Sequence, residues 1–177
     1  LGQALDLTSS AANGSGNIVS TVNDSALGFG AVTSWTATEW VKPNAAQPNL
    51  ARFFIIGDAN TLDVNNSANS FAFAAKNNKT SCQVYINKGE KGSVEQTLVP
   101  PLPVGGWTFI AYVYDGNNLS LYSGSDTSPV TLLGSASYPG LTMDFGSAGN
   151  LFMGNRSANG RAFQNYIDDT RFYSRAA

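Results

Sequence analysis

The chain has 177 residues, of which 12% are charged against ~25% in an average globular domain, and ten Lys and Arg face twelve Asp and Glu for a net charge of −2. That balance offers no basic footprint for nucleic acid and no acidic tail. The absence of His excludes Ser-His and Cys-His nucleophile pairs and every His-liganded zinc or iron site.

No stretch of a dozen residues places apolar side chains at helical spacing, whereas short alternating or wholly apolar runs recur throughout, so a nearly all-β fold is expected. In chain order the predicted strands are Gln3–Leu7, Ile18–Val22, Trp35–Lys42, Ala51–Gly57, Ser70–Lys76, Gln83–Asn87, Glu95–Val99, Trp107–Asp115, Asn118–Ser123, Thr131–Ser137, Asn150–Gly154 and Ala162–Ser174. Between them lie Gly, Pro, Asn, Asp and Ser, residues that permit positive φ or bond their own backbone. Lys76-Asn77-Asn78-Lys79 is read as a reversal that pairs its flanking strands. Asp115-Gly116-Asn117-Asn118 carries the stronger Asp-Gly hairpin signal. The unbroken apolar run Phe109 to Tyr114 predicts a central strand covered on both faces, and Pro100, Pro101 and Pro103 predict an edge or connection before Trp107. About a dozen short strands with regular turns suit one antiparallel β-sandwich or barrel domain over residues 1–177.

Cys82 is the single cysteine, so an intrachain disulfide is impossible, and it is read as a small buried hydrophobe. Alternation would send Cys82, Val84 and Ile86 into the core and Gln83, Tyr85 and Asn87 to the opposite, concave face. No apolar run approaches the ~20 residues of a membrane span, so membrane insertion is not expected. The neutral polar composition suggests an extracellular domain, secreted or at a cell surface, covalently linked to further domains in a longer chain.

Three passages in order, Trp35-Thr36-Ala37-Thr38-Glu39-Trp40-Val41-Lys42-Pro43, Gly106-Trp107-Thr108-Phe109-Ile110-Ala111-Tyr112-Val113-Tyr114-Asp115-Gly116 and Ile167-Asp168-Asp169-Thr170-Arg171-Phe172-Tyr173-Ser174-Arg175-Ala176, resemble the laminin-G-like, concanavalin-A-like jelly-roll family. The resemblance implies two antiparallel sheets, one curved, with the first and last strands adjacent. It also implies that Trp35, Trp40 and Trp107 are core anchors. Glucanases on this scaffold carry an E-x-D-x-x-E strand that sets two carboxylates about the glycosidic bond. Glu39, Glu90 and Glu95, the three Glu residues present, do not form that pattern, and lyases of the fold typically use His with Tyr.

The expectation is therefore a non-catalytic, lectin-like carbohydrate-binding module whose partner is a polysaccharide or other glycan. The alternative is a protein-protein adhesion or structural laminin-G-like module. A weaker one is a glycoside hydrolase or polysaccharide lyase with an atypical site, such as Asp58 and Asp63 with Tyr85. A sugar site needs hydrogen-bonding side chains beside an aromatic ring. Gln83, Tyr85 and Asn87 form one candidate, in which Tyr85 is either the aromatic platform or packing for a neighbouring strand. The rim loop with Asn155, Arg156, Asn159 and Arg161 is the second, able to read an acidic or sulfated sugar with its guanidinium groups or to be a solvated turn. From the resemblance, Asp168 matches a calcium-ligand position on the closing strand. Asn13 and Asp24 would supply further oxygens, because calcium takes six to eight; otherwise Asp168 caps its strand or pairs with Arg171 or Arg175. The Asn-x-Ser/Thr sequons at Asn13, Asn23, Asn65, Asn78, Asn118 and Asn155 follow from composition.

Overall fold

The computed structural model describes residues 4–8, 19–20, 31–44, 47, 51–57, 71–76, 81–86, 93–97, 102–140, 143–144, 150–155 and 161–177. Among these residues there are fourteen strands and no helix: β1 (Leu5–Asp6), β2 (Val19–Ser20), β3 (Ala31–Val32), β4 (Trp35–Pro43), β5 (Arg52–Gly57), β6 (Phe71–Lys76), β7 (Ser81–Ile86), β8 (Ser93–Thr97), β9 (Thr108–Tyr114), β10 (Asn118–Ser125), β11 (Thr131–Ser137), β12 (Met143–Asp144), β13 (Asn150–Met153) and β14 (Asn165–Tyr173). One six-stranded sheet runs β1-β14-β4-β9-β10-β11, a second runs β2-β13-β5-β6-β7-β8, and β12 pairs with β3 in a small ribbon. Every strand pair described is antiparallel. As expected, the first strand lies beside the last, with Leu5 opposite Ile167.

Local turn chemistry accounts for the β9–β10 hairpin. Asp115 Oδ1 accepts the backbone N–H groups of Asn117 and Asn118 at 2.8 and 2.7 Å, and Gly116 takes a φ of 100° that a side chain would resist. Those two bonds also hold the Asp115 carboxyl below the usual carboxylate range. The expected pairing of β6 with β7 is present, Phe71 opposite Ile86, while residues 77–80 of that reversal lie outside the described residues.

The core draws on both sheets. Trp35, Tyr112, Tyr114, Phe53, Phe163 and Leu7 are fully buried, and burying each large side chain stabilises the fold by about 1.5–3 kcal/mol. Phe53 meets Phe163 edge-on at 5.2 Å, and Trp35 stacks on Phe172 at 5.7 Å. Buried polar groups are satisfied across long sequence distances: the Gln47 side chain donates to Gln164 O at 3.1 Å and accepts from Gln164 N at 2.8 Å, acting as a one-residue strand.

Four expectations need correction. The strand from Phe109 to Tyr114 is central in its sheet, but its outer side is only partly covered: Ala111 there is buried, whereas Phe109 and Val113 are half-buried. β8 begins at Ser93 rather than Glu95, and β14 at Asn165 rather than Ala162. The two-residue strands β3 and β12 were not anticipated, because two residues carry no period. Of the three tryptophans, Trp35 alone is a fully buried core anchor; Trp40 and Trp107 are half-buried on the outer side of the first sheet.

Candidate functional site

In β4 alternation turns Trp35, Ala37, Glu39 and Val41 inward and Thr38, Trp40 and Lys42 outward. Strand pairing then lines up the outward residues: Asp168 of β14, Trp40 and Phe109 form one cross-strand row, and Tyr166 and Lys42 form the next. The Trp40 and Phe109 rings lie 5.4 Å apart. Trp107, just before β9, is braced by Tyr166, 6.4 Å away between centroids, and by the Lys42 ammonium 5.9 Å from its ring centre. The result is an aromatic surface with charged side chains set around it.

On this surface opens a groove of about 650 Å³, lined by Ala4, Trp40, Trp107, Asp126, Asp168, Asp169 and Arg171. Its volume falls in the ~300–1,000 Å³ range of small-molecule sites, and its lining combines ring surface with convergent polar groups. The guanidinium is already engaged, because Arg171 Nε donates to Asp169 Oδ1 at 2.6 Å and Nη1 lies 3.4 Å from the Tyr173 hydroxyl. Both contacts push the Arg171 pKa further up, so it stays cationic. Among the described lining residues, three carboxyl groups against one paired guanidinium disfavour anionic ligands.

A bulge in β14 shapes one wall. The register slips between Asp168 and Arg171, so Asp169 and Thr170 together face Glu39 of β4. Asp169 has φ 52°, a left-handed conformation that its short polar side chain tolerates, and its N–H donates to Asp168 Oδ1 at 2.8 Å. The bulge presents Asp169 to the groove and Thr170 to the interior. There the Thr170 hydroxyl donates to Glu39 Oε1 at 2.8 Å, while Glu39 Oε2 has no hydrogen-bond partner among the described residues. Burial pushes the Glu39 carboxyl up to about 8, opposed by the Thr170 bond. Glu39 is therefore a neutral interior acid at neutral pH, without access to solvent.

The expected site residues fall in different places. Backbone register sets Tyr85 in one row with Phe152, Ile55, Ala72 and Ser93, and Gln83 in the next with Arg52, Ala74 and Glu95. Val84 lies in the alternate row with Phe73, Phe54 and Met153, and Met153 packs against the core. Both of the rows that hold Tyr85 and Gln83 also contain a buried residue, Phe152 in one and Arg52 in the other; Asn87 lies outside the described residues. Asn155 is fully buried and its Oδ1 accepts the Arg161 N–H at 3.0 Å, so it fastens the two ends of the rim loop instead of facing a ligand. Arg161 is half-buried, and Arg156 and Asn159 lie outside the described residues. Asp58 and Asp63 do so as well.

Of the expected calcium ligands, Asp168 lines the outer groove, whereas Asn13 and Asp24 lie outside the described residues. Among the described residues no three Asp, Glu or Cys side chains gather closely enough to hold a metal ion. The ligand set fits calcium only if Asn13 and Asp24 complete it. The outward aromatic pair was missed because both faces of β4 carry tryptophan, and alternation alone does not say which face is covered.

Comparison with known proteins gives a family and several structural neighbours. The sequence profile described as Laminin_G_3, concanavalin A-like lectin/glucanases superfamily, matches residues 13–177. No curated protein sequence matches the chain. Among solved structures, the CBM40 of a Ruminococcus gnavus IT-sialidase, bound to α2,3-sialyllactose, superposes with a TM-score of 0.71 at 10% identity over 99% of this chain and 91% of its own. A heptameric SAP-like pentraxin from Limulus polyphemus gives 0.68 at 12% identity over 97% and 76%. Domain 4 of AbnA, an extracellular arabinanase from Geobacillus stearothermophilus, in complex with arabinotriose, gives 0.54 at 17% identity over 82% and 62%. At such identities these likenesses establish the jelly-roll fold.

Proposed function

This chain belongs to the concanavalin A-like lectin/glucanases superfamily, and we propose from that premise that it is a non-catalytic carbohydrate-binding module. The observation that carries the reading is the groove in which Trp40 and Trp107 stand beside Asp126, Asp168 and Asp169. An indole ring receives the CH-rich face of a sugar while carboxylates accept its hydroxyls. Two structural neighbours, CBM40 and the arabinanase domain, were solved with saccharides, which supports the same reading. The module would be covalently linked to further domains of a secreted or surface protein, raising the local concentration of its neighbours on a glycan. A structural calcium ion at Asp168, with Asp24 and Asn13, belongs to the proposal as the resemblance implies it.

A protein-protein adhesion role is the second reading, favoured by Val130 and Leu132, which are 53% and 54% exposed beside the same sheet. Affinity electrophoresis on a panel of neutral and acidic polysaccharides, with calcium present, separates the two. Retention on a neutral glycan, weakened about tenfold or more by Trp40→Ala, is the expected result. Retention lost with Tyr85→Ala instead would move the site to the second sheet. No retention on any glycan would remove the module reading, and soluble sugar product accumulating with time would remove the non-catalytic one.

A further inference from the structure

Beside the groove lies a second hollow of about 350 Å³ at the rim of the same sheet, between the segments 103–108 and 123–133. Trp107 and Asp126 line both. The second hollow has a different chemistry: Ser123, Ser125, Thr127, Ser128 and Thr131 give it a neutral, hydroxyl-bearing wall. Its loop is preformed, with Ser125 N donating to Ser128 O at 3.0 Å and Thr127 N to Ser125 Oγ at 3.2 Å. Thr108 also lines it, but its side chain is 6% exposed and lies on the inward face of β9 with Ile110 and Tyr112.

We propose that the two hollows are one extended site, continuous across Trp107, which takes an internal stretch of a neutral glycan chain rather than a terminal or acidic sugar. The proposal rests on the carbohydrate-binding reading and adds ligand length and charge to it. Trp107 is the shared stacking surface, Trp40 serves the unit in the larger groove, and Asp126 accepts hydroxyls at the junction. The hydroxyl wall receives the next unit. A carboxylated or sulfated chain would meet Asp126 and Asp169, and Arg171, the cation among the described lining residues, is already paired with Asp169.

Isothermal titration with neutral gluco-, xylo- and arabino-oligosaccharides from disaccharide to hexasaccharide tests this, with thermal melts confirming that each variant is folded. Affinity should rise about tenfold or more between disaccharide and hexasaccharide. Asp126→Asn should weaken both ligands, whereas Thr127→Ala, in the second hollow alone, should weaken the hexasaccharide by about threefold or more beyond any effect on the disaccharide. Binding that is flat with length and indifferent to both variants overturns the extended site while leaving the module reading intact. Tighter binding of polygalacturonate or a sulfated glycan than of neutral chains overturns the charge assignment. Failure of every saccharide to bind overturns the module reading itself, which is how the two failures are told apart.

Discussion

The hydroxyl of Thr170 donates a 2.8 Å hydrogen bond to the Glu39 carboxyl across 131 residues of sequence. The bond exists because the β14 bulge places an extra residue opposite Glu39, and it tempers an otherwise costly burial of an acid between Ala37 and Val41.

Glu39 gives the fold a pH dependence of definite sign. Its carboxyl is raised in the folded state from an ordinary 4.5 to about 8, so the folded protein holds a proton that the unfolded chain releases. The associated stability is complete below about pH 4.5 and is lost as pH rises through about 8, with a slope of at most about 1.4 kcal/mol per pH unit. Glu39→Gln keeps the acceptor for Thr170 and cannot ionise. Its melting midpoint should exceed that of the parent at pH 8, with a smaller difference at pH 5. A constant difference across that range would mean that Glu39 ionises as freely in the folded state as in the unfolded one.

Gly154 and Gly140 separate two costs of adding a methyl group. Both have positive φ, 77° and 75°, but a Cβ on Gly154 would run into the buried Leu7 side chain, whereas one on Gly140 meets open space. Gly140→Ala should cost about 1–2 kcal/mol from backbone strain alone. Gly154→Ala should cost more by about 1 kcal/mol or over, the excess being the clash. Urea denaturation of both variants gives the comparison, and equal losses would show that Leu7 moves aside freely.

The tryptophans should divide by solvent contact. Acrylamide should quench Trp40 and Trp107 and spare Trp35, which is fully buried against Tyr114 and Phe172. Variants that retain one tryptophan each, with phenylalanine at the other two positions, allow the assignment. If Trp40 is as protected as Trp35, the outer groove is closed in solution.

Calcium is tested by the melting midpoint. An ion bound only by the folded state must raise it, so millimolar calcium should exceed chelator, and Asp168→Asn should abolish the difference. An unchanged midpoint removes the ion.

Much of the architecture was legible because it rests on local rules. The Asp115 hairpin followed from turn chemistry, and the pairing of β6 with β7 followed from the Asn-rich reversal between them. The site was less legible. Trp40 and Lys42 share the outward face of β4, but whether that face is covered depends on what lies across the sheet, which no local pattern states. Asn155 looked like a rim ligand because its composition suits binding; only the fold shows its oxygen engaged by Arg161 N. Glu39 did carry a signal, since it shares the face of Trp35, Ala37 and Val41, and an acid in that series marks a buried titrating group.

The place of β14 between β1 and β4 also governs the order in which the molecule can be completed. The first sheet lacks an interior member until Asn165–Tyr173 has left the ribosome. Until then the β4 edge, with Trp40 beside it, has no β14 to pair with. A nascent chain stalled before that point presents an open strand edge to other chains, so β14, made after the strand it pairs with, is also the one that seals that edge against aggregation.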